Sequence, residues 1–216
     1  MRSDQVIQEN IIEELKWEPS VNATDIGVQV SEGVATLSGH VKSYAEKIHS
    51  EIATKRVKGV RAIAIELKVE LPFEHHKSDA EIAKACLTAL HWNINTSNQP
   101  IDVKVENGIV TISGDVDSPY QRESAKIALI HLLGVKGVFN QIKVNSKVDL
   151  TLLHNEIEDI LIKQAKLNSK RVFVSTNEKT ITLSGHVHSW SERQLILNVA
   201  WATPGVNDVI DELVFY

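Results

Sequence analysis

The side chains able to do chemistry here are nine histidines, one cysteine and 28 carboxylates, and their spacing decides which chemistry is open to them. The tightest histidine groupings are His75-His76 and His186-x-His188. Alternate strand residues share a face, so the second pair could hold an ion jointly. A zinc site wants three or four ligands, and neither grouping has a second pair at supporting spacing, so no metal site is expected. Cys86, the one cysteine, has no internal disulfide partner. It falls between Ile82 and Leu90 at helical spacing and reads as a buried small hydrophobe. Ser38, Ser113 and Ser184 lie inside alternating apolar strings without a G-x-S-x-G elbow, and the glycines form no phosphate-cradling loop. The carboxylates Glu13-Glu14 and Glu156, Glu158 and Asp159 fall on helical faces as solvated surface. No catalytic residue and no cofactor is expected, and the chain is not read as an enzyme.

The aromatic residues are the sharper feature. They make up only 5% of the chain, yet four are tryptophans and they recur at matched positions. Trp17 and Trp92 are 75 residues apart at the end of a helical pattern. Tyr44, Pro119 and Trp190 share a second position, just inside another helix, and Trp201 lies further along the helix that Trp190 opens. Two roles fit: capping a local core, or anchoring an interface, because tryptophan and tyrosine offer large contact area with little entropy loss. Tyr44, Trp17, Trp92, Trp190 and Trp201 are the candidate binding or interface residues.

These positions are held by a repeat. The string Ala35-Thr36-Leu37-Ser38-Gly39-His40-Val41 returns as Val110 to Val116 and as Ile181 to Val187, its glycines 39, 114 and 185 standing at offsets of 75 and 71 (114 − 39; 185 − 114). The same offsets relate Gly59, Gly134 and Gly205, each followed by valine. They also align Ile7, Ile11 and Leu15 with Ile82, Cys86 and Leu90 and with Leu153, Ile157 and Leu161, a helical stripe in each copy. Period-two alternation follows at Ile26, Val28 and Val30, at Ile101, Val103 and Val105, and at Val172 and Val174. Glu32-Gly33 and Asn107-Gly108 join this strand to the next as a hairpin; Glu178-Lys179 in the third copy implies a different turn. Ser43, Ser118 and Ser189, with Glu46, Gln121 and Glu192 three residues on, fit capping boxes at a second helix. Its stripe is clearest at Ala125, Ala128, Leu129 and Leu132 and recurs at Ile196, Val199 and Ala200. The glycine at 59, 134 or 205 is expected to stop that helix as its C′ residue, and a last apolar strand completes an α-β-β-α-β unit.

The fold class is therefore α+β, with three tandem αββαβ sandwich domains, each having two helices on one face of a three-stranded mixed sheet. The boundaries are 1–71, a linker at 72–77, 78–146 and 147–216. A unit of about 70 residues buries only about 60% of its unfolded surface, so each gains from packing on a neighbour or on another chain.

Helix, hairpin, a V-T-L-S-G-x-V strand, a second helix and a Gly-Val before the last strand together resemble the BON domain, and the resemblance covers residues 3–71, 78–146 and 149–216. It implies a bacterial protein and roles in envelope stress, phospholipid association, small-ligand sensing or self-association. The hydrophobic fraction is 43%, the net charge is −5 and the pI is about 6.0, which argues against a dedicated, specific nucleic-acid binder. Met1 to Asn10 lacks the apolar stretch of a secretory signal, so the expected location is the cytoplasm. No run reaches the length of a membrane span. The reading that follows is a non-enzymatic binding and scaffold protein that forms homo-oligomers, possessing the means to build filaments by head-to-tail contact. The alternatives are peripheral binding of anionic phospholipid in a stress response and sensing of a small molecule or ion.

Overall fold

The structure, a computed structural model, describes residues 3–145, 172–177, 180–203, 206 and 208–215. The first copy contains helix α1 (Asp4–Trp17), strands β1 (Ile26–Ser31) and β2 (Val34–Val41), helix α2 (Tyr44–Arg56) and strand β3 (Ala62–Val69). The second copy repeats this as α3 (Asp79–Trp92), β4 (Ile101–Glu106), β5 (Ile109–Val116), α4 (Pro119–Ile130) and β6 (Gly137–Val144). The third contributes β7 (Val172–Asn177), β8 (Thr180–Val187), α5 (Trp190–Ala202) and β9 (Asp208–Phe215). The helix expected around Leu153, Ile157 and Leu161, the turn at Glu178-Lys179 and Gly205 lie outside the described residues.

Each copy forms a three-stranded mixed sheet with the TLSG-type strand at its centre. β2 runs antiparallel to β1 and parallel to β3, and β5 and β8 repeat both pairings. The parallel pair requires a crossover, and the second helix of each copy supplies it. Three separate cores follow, since strand alternation aims one row per strand at the helices. Ala35, Leu37 and Val41 meet Ile7, Ile11 and Leu15 in the first copy, whereas Val110, Ile112 and Val116 meet Ile82, Cys86 and Leu90 in the second. Ile181, Leu183 and Val187 meet Ile196, Val199 and Ala200 in the third.

Local chemistry fixes the joints. Asp4, at the start of α1, accepts hydrogen bonds from the Glu32 and Gly33 amides at the tip of the first hairpin, at 2.7 and 3.1 Å. Asp79 does the same for Asn107 and Gly108 at 2.8 and 2.9 Å. A carboxylate 28 and 29 residues away in sequence thus ties helix to hairpin in copies one and two. Gly39 and Gly114 have φ of +116° and +133°, and an added Cβ would overlap the carbonyl oxygens of Asp25 and Pro100. The glycine of the recurrent string is therefore a requirement for close approach of the loop that precedes the first strand.

Two local expectations need correction. Gly59 and Gly134 are not C′ residues: α2 is capped at Val57 and α4 at His131, before either glycine. Their role is contact, because a Cβ at Gly59 would lie 2.8 Å from Cδ1 of Ile7, and one at Gly134 would lie 2.8 Å from Cδ1 of Ile82. The capping box is also complete only at α4 among the second helices. Ser43 and Ser189 accept from the Glu46 and Glu192 amides, but these glutamates reach one residue further back. Glu46 accepts from the amides of Lys42 and Asn22 at 2.7 and 2.8 Å, and Glu192 from that of His188 at 2.7 Å. Glu46 has become a buried brace between the α1–β1 loop and the start of α2.

Candidate functional site

The candidate aromatics fall into two groups. Tyr44 opens α2 in the first copy, yet its ring is buried in the core of the second, together with Ile130 and with Ala45 and Ile48 packed alongside. The Tyr44 hydroxyl lies beside the backbone of Val138. Burial pushes the phenol above its ordinary pKa and the nearby Glu51 carboxylate adds to this, against the effect of the Val138 backbone. His49 and His131 face each other across the same seam with ring centroids 5.7 Å apart.

Trp190 opens α5 in the third copy and packs against the core of the first. The Lys55 ammonium lies 5.6 Å from the centre of its ring, and the adjacent Ser191 hydroxyl donates to the Lys55 carbonyl at 3.1 Å. Within its own copy Trp190 is 5.5 Å from Phe215, and Arg193 lies 5.4 Å from both rings while pairing with Asp211 at 2.7 Å. The third seam joins copies two and three, where the Arg122 guanidinium lies 5.6 Å from the centre of the Trp201 ring. Positions 55, 130 and 201 are equivalent under the offsets of 75 and 71. The start of each second helix therefore meets the end of the next copy's second helix in cyclic order, one to two, two to three and three to one.

Trp17 and Trp92 behave differently. At the ends of α1 and α3 they are 77% and 80% exposed. Trp17 borders a shallow open groove of about 420 Å³ with Glu13, Glu14, Arg56 and Lys58. Arg56 spans that groove to Glu14 and Glu18, at 2.9 Å each, and its hydrogen bond, with a further one from Ser20, holds the Glu18 carboxyl below its usual pKa. At the corresponding positions copy two has Thr88, Ala89, His131 and Leu133, so the carboxylates, arginine and lysine of the first groove are missing around Trp92, whose ring meets that of His91 edge-on at 6.1 Å. Leu87, Ile94 and Leu133 there are 55%, 89% and 52% exposed.

The other chemistry-bearing residues are placed as follows. Cys86 is fully buried and its thiol is pushed up to about 11 by desolvation, which removes the reactive thiolate at neutral pH. His40 pairs with Glu70 at 3.2 Å on the surface, and His76 is bonded to the Leu71 carbonyl. His186 is the penultimate residue of β8, whereas His188 sits outside the strand, just before the Ser189 cap. Among the described residues no three His, Cys, Asp or Glu side chains are grouped to hold a metal ion, and no helix is long and apolar enough to cross a membrane.

Three of the candidate interface residues, Tyr44, Trp190 and Trp201, stand at these seams between copies, but which helix ends meet is not read from the sequence. Position 55, 130 and 201 carries Lys, Ile and Trp, and Ile130 and Trp201 also pack on the cores of their own copies.

Comparison with known proteins gives one consistent family. The model described as "BON domain" matches residues 3–70, 78–146 and 149–215. Osmotically-inducible protein Y of Escherichia coli (strain K12) is 29% identical over 128 residues, which cover 57% of this chain and 64% of that protein. The match therefore spans less than two thirds of the relative's length. Two solved structures of CdsD, a structural protein of the Type III secretion system of Chlamydia trachomatis, align over 100% and 99% of the chain, and over 100% and 93% of their own. They are 15% and 16% identical with TM-scores of 0.26 and 0.24, too low to carry an argument.

Proposed function

The chain belongs to the BON domain family, with three copies in tandem, and on that premise we propose that it is a non-enzymatic binding and assembly protein of the osmotic stress response. The stress assignment draws on the relative named for osmotic induction. The observation that carries the binding role is the pair Trp17 and Trp92, at equivalent positions and 77% and 80% exposed. Large aromatic side chains left in solvent form the kind of anchor that dominates association energies. Their first occupant is a second copy of the chain: the positions around Trp92 hold no Asp, Glu, Lys or Arg, and those around Trp17 carry both signs of charge, a combination able to meet its own kind. Anionic phospholipid is the competing occupant, and the net charge of −5 opposes it.

The test is a concentration series followed by light scattering and tryptophan fluorescence, with a parallel flotation assay on phosphatidylglycerol vesicles. Association that rises with concentration and is lost in the Trp17→Ala/Trp92→Ala double variant supports the reading. A concentration-independent monomer overturns it, and flotation lost in the same variant transfers the surface to lipid.

A further inference from the structure

The seam between copies three and one differs from the other two in what enforces it. Copies one and two, and copies two and three, are neighbours in sequence. Copy three meets copy one only by folding back across the molecule, Ser191 reaching Lys55 over 136 residues of chain. The contact is also imperfectly satisfied: the Trp190 indole N–H is buried without a hydrogen-bond partner, and among the described contacts across this seam none is a salt bridge. Among the described residues, the ring of three is held shut here by an aromatic plug, a cation over its face and a hydroxyl-to-carbonyl bond.

The surfaces involved are complementary and belong to opposite ends of the chain. Head-to-tail contacts close into rings when the rotation allows and otherwise continue without limit. We propose that the Trp190 plug of copy three and the Lys55 end of copy one form an exchangeable contact, in which the plug of one chain enters the first copy of another. Reciprocal exchange gives a dimer; serial exchange gives an open filament in which the order one, two, three, one runs on from chain to chain. This surface is separate from the Trp17 and Trp92 face and does not depend on it.

Tethering sets when exchange occurs. A plug and socket in one chain see each other at an effective concentration on the order of 1 mM, so the closed ring prevails in dilute solution. Chains opened together at comparable concentration partition between the two partners, and the reclosed contact then traps the exchanged form.

The test refolds the full chain from urea, under reducing conditions, at about 10 µM and at about 1 mM, values chosen to bracket that effective concentration. Samples are diluted equally and sized by light scattering. We expect monomer from the dilute arm and dimers and larger species from the concentrated arm. The Trp17→Ala/Trp92→Ala variant should behave as the wild type, which separates this contact from the proposed binding face. Trp190→Ala should reduce the exchanged fraction at least several-fold. Because that variant could fold poorly, a Lys55→Cys/Ser191→Cys chain is bridged in its folded state by a short bismaleimide; the bridged chain should refold as monomer in both arms. Monomer from the concentrated wild-type arm overturns the proposal, and so do oligomers that persist undiminished in the bridged chain.

Discussion

Two sets of aromatic residues recur at matched positions in this chain and meet opposite fates. Tyr44 and Trp190, at the first turn of a second helix, are sunk into the neighbouring copy. Trp17 and Trp92, at the last turn of a first helix, stand almost wholly in solvent. Recurrence alone does not separate them, because both sets keep strict register. What separates them is whether the path of the chain brings another copy against that end of the helix. The start of a second helix lies at a seam in all three copies. The end of a first helix lies at none among the described residues.

The largest expected effect tests the covered set. Trp190→Ala removes a ring that packs on two copies and carries two cations against its face, and truncating such a side chain should cost about 3 kcal/mol. Urea denaturation measures this as a fall in midpoint. A loss below about 0.5 kcal/mol, the range of ordinary surface changes, would place Trp190 with the exposed set and break the comparison.

Tyr44→Phe sharpens it on the same side. The ring stays and only the hydroxyl beside the Val138 backbone goes, a change worth about 1 kcal/mol. Its pH signature is more telling. The buried phenol sits above its ordinary value of 10.0, so the folded chain holds that proton more tightly than the unfolded one. The stability this contributes is complete below pH 10 and is lost as pH rises from there toward the folded value. Cys86, raised from 9.0 to about 11, adds a loss beginning near pH 9. Tyr44→Phe should therefore flatten the part of the alkaline decline above pH 10 and leave the earlier part in place, as denaturation at pH 8 through 11.5 would show. An unchanged alkaline curve would mean that the seam does not bury Tyr44.

Much of the fold is legible in the residues because the signals it rests on are local. Alternation fixed which strand face is inward, and the offsets of 75 and 71 carry the stripes, hairpins and the serine caps from copy to copy. The errors also have local causes. The glycine after the second helix reads as a helix stop because glycine is common there, whereas its neighbour is Ile7 or Ile82, more than fifty residues away in sequence. Glu46 has the spacing of a capping box and instead bridges Lys42 to Asn22. The seams depend on how copies are arranged in space, which periodicity within a copy does not encode. Arg122→Ala examines that layer at the third seam. Removing a cation from a partly exposed aromatic face should cost about 0.5–1 kcal/mol, with no loss in a Trp201→Ala background; an additive double variant would show that the pair does not interact.

The smallest expected effect falls on the exposed set, and its smallness is informative. Trp17→Ala and Trp92→Ala each delete a large side chain that touches little, so each should leave stability within about 0.5 kcal/mol of the wild type. If folding had placed these tryptophans for its own sake, truncation would register in the denaturation midpoint as it does at Trp190. The two sites should also differ from each other. Trp17 shares its groove with Arg56, held by Glu14 and Glu18, and association through it should weaken as salt rises. Trp92 has the exposed Leu87, Ile94 and Leu133 in its copy, and association through it should persist in high salt, because burial of apolar area is not screened. Single variants measured by light scattering at low and high ionic strength separate the two contributions. Identical salt dependence in both would show that the local surroundings of each tryptophan play no part in what it binds.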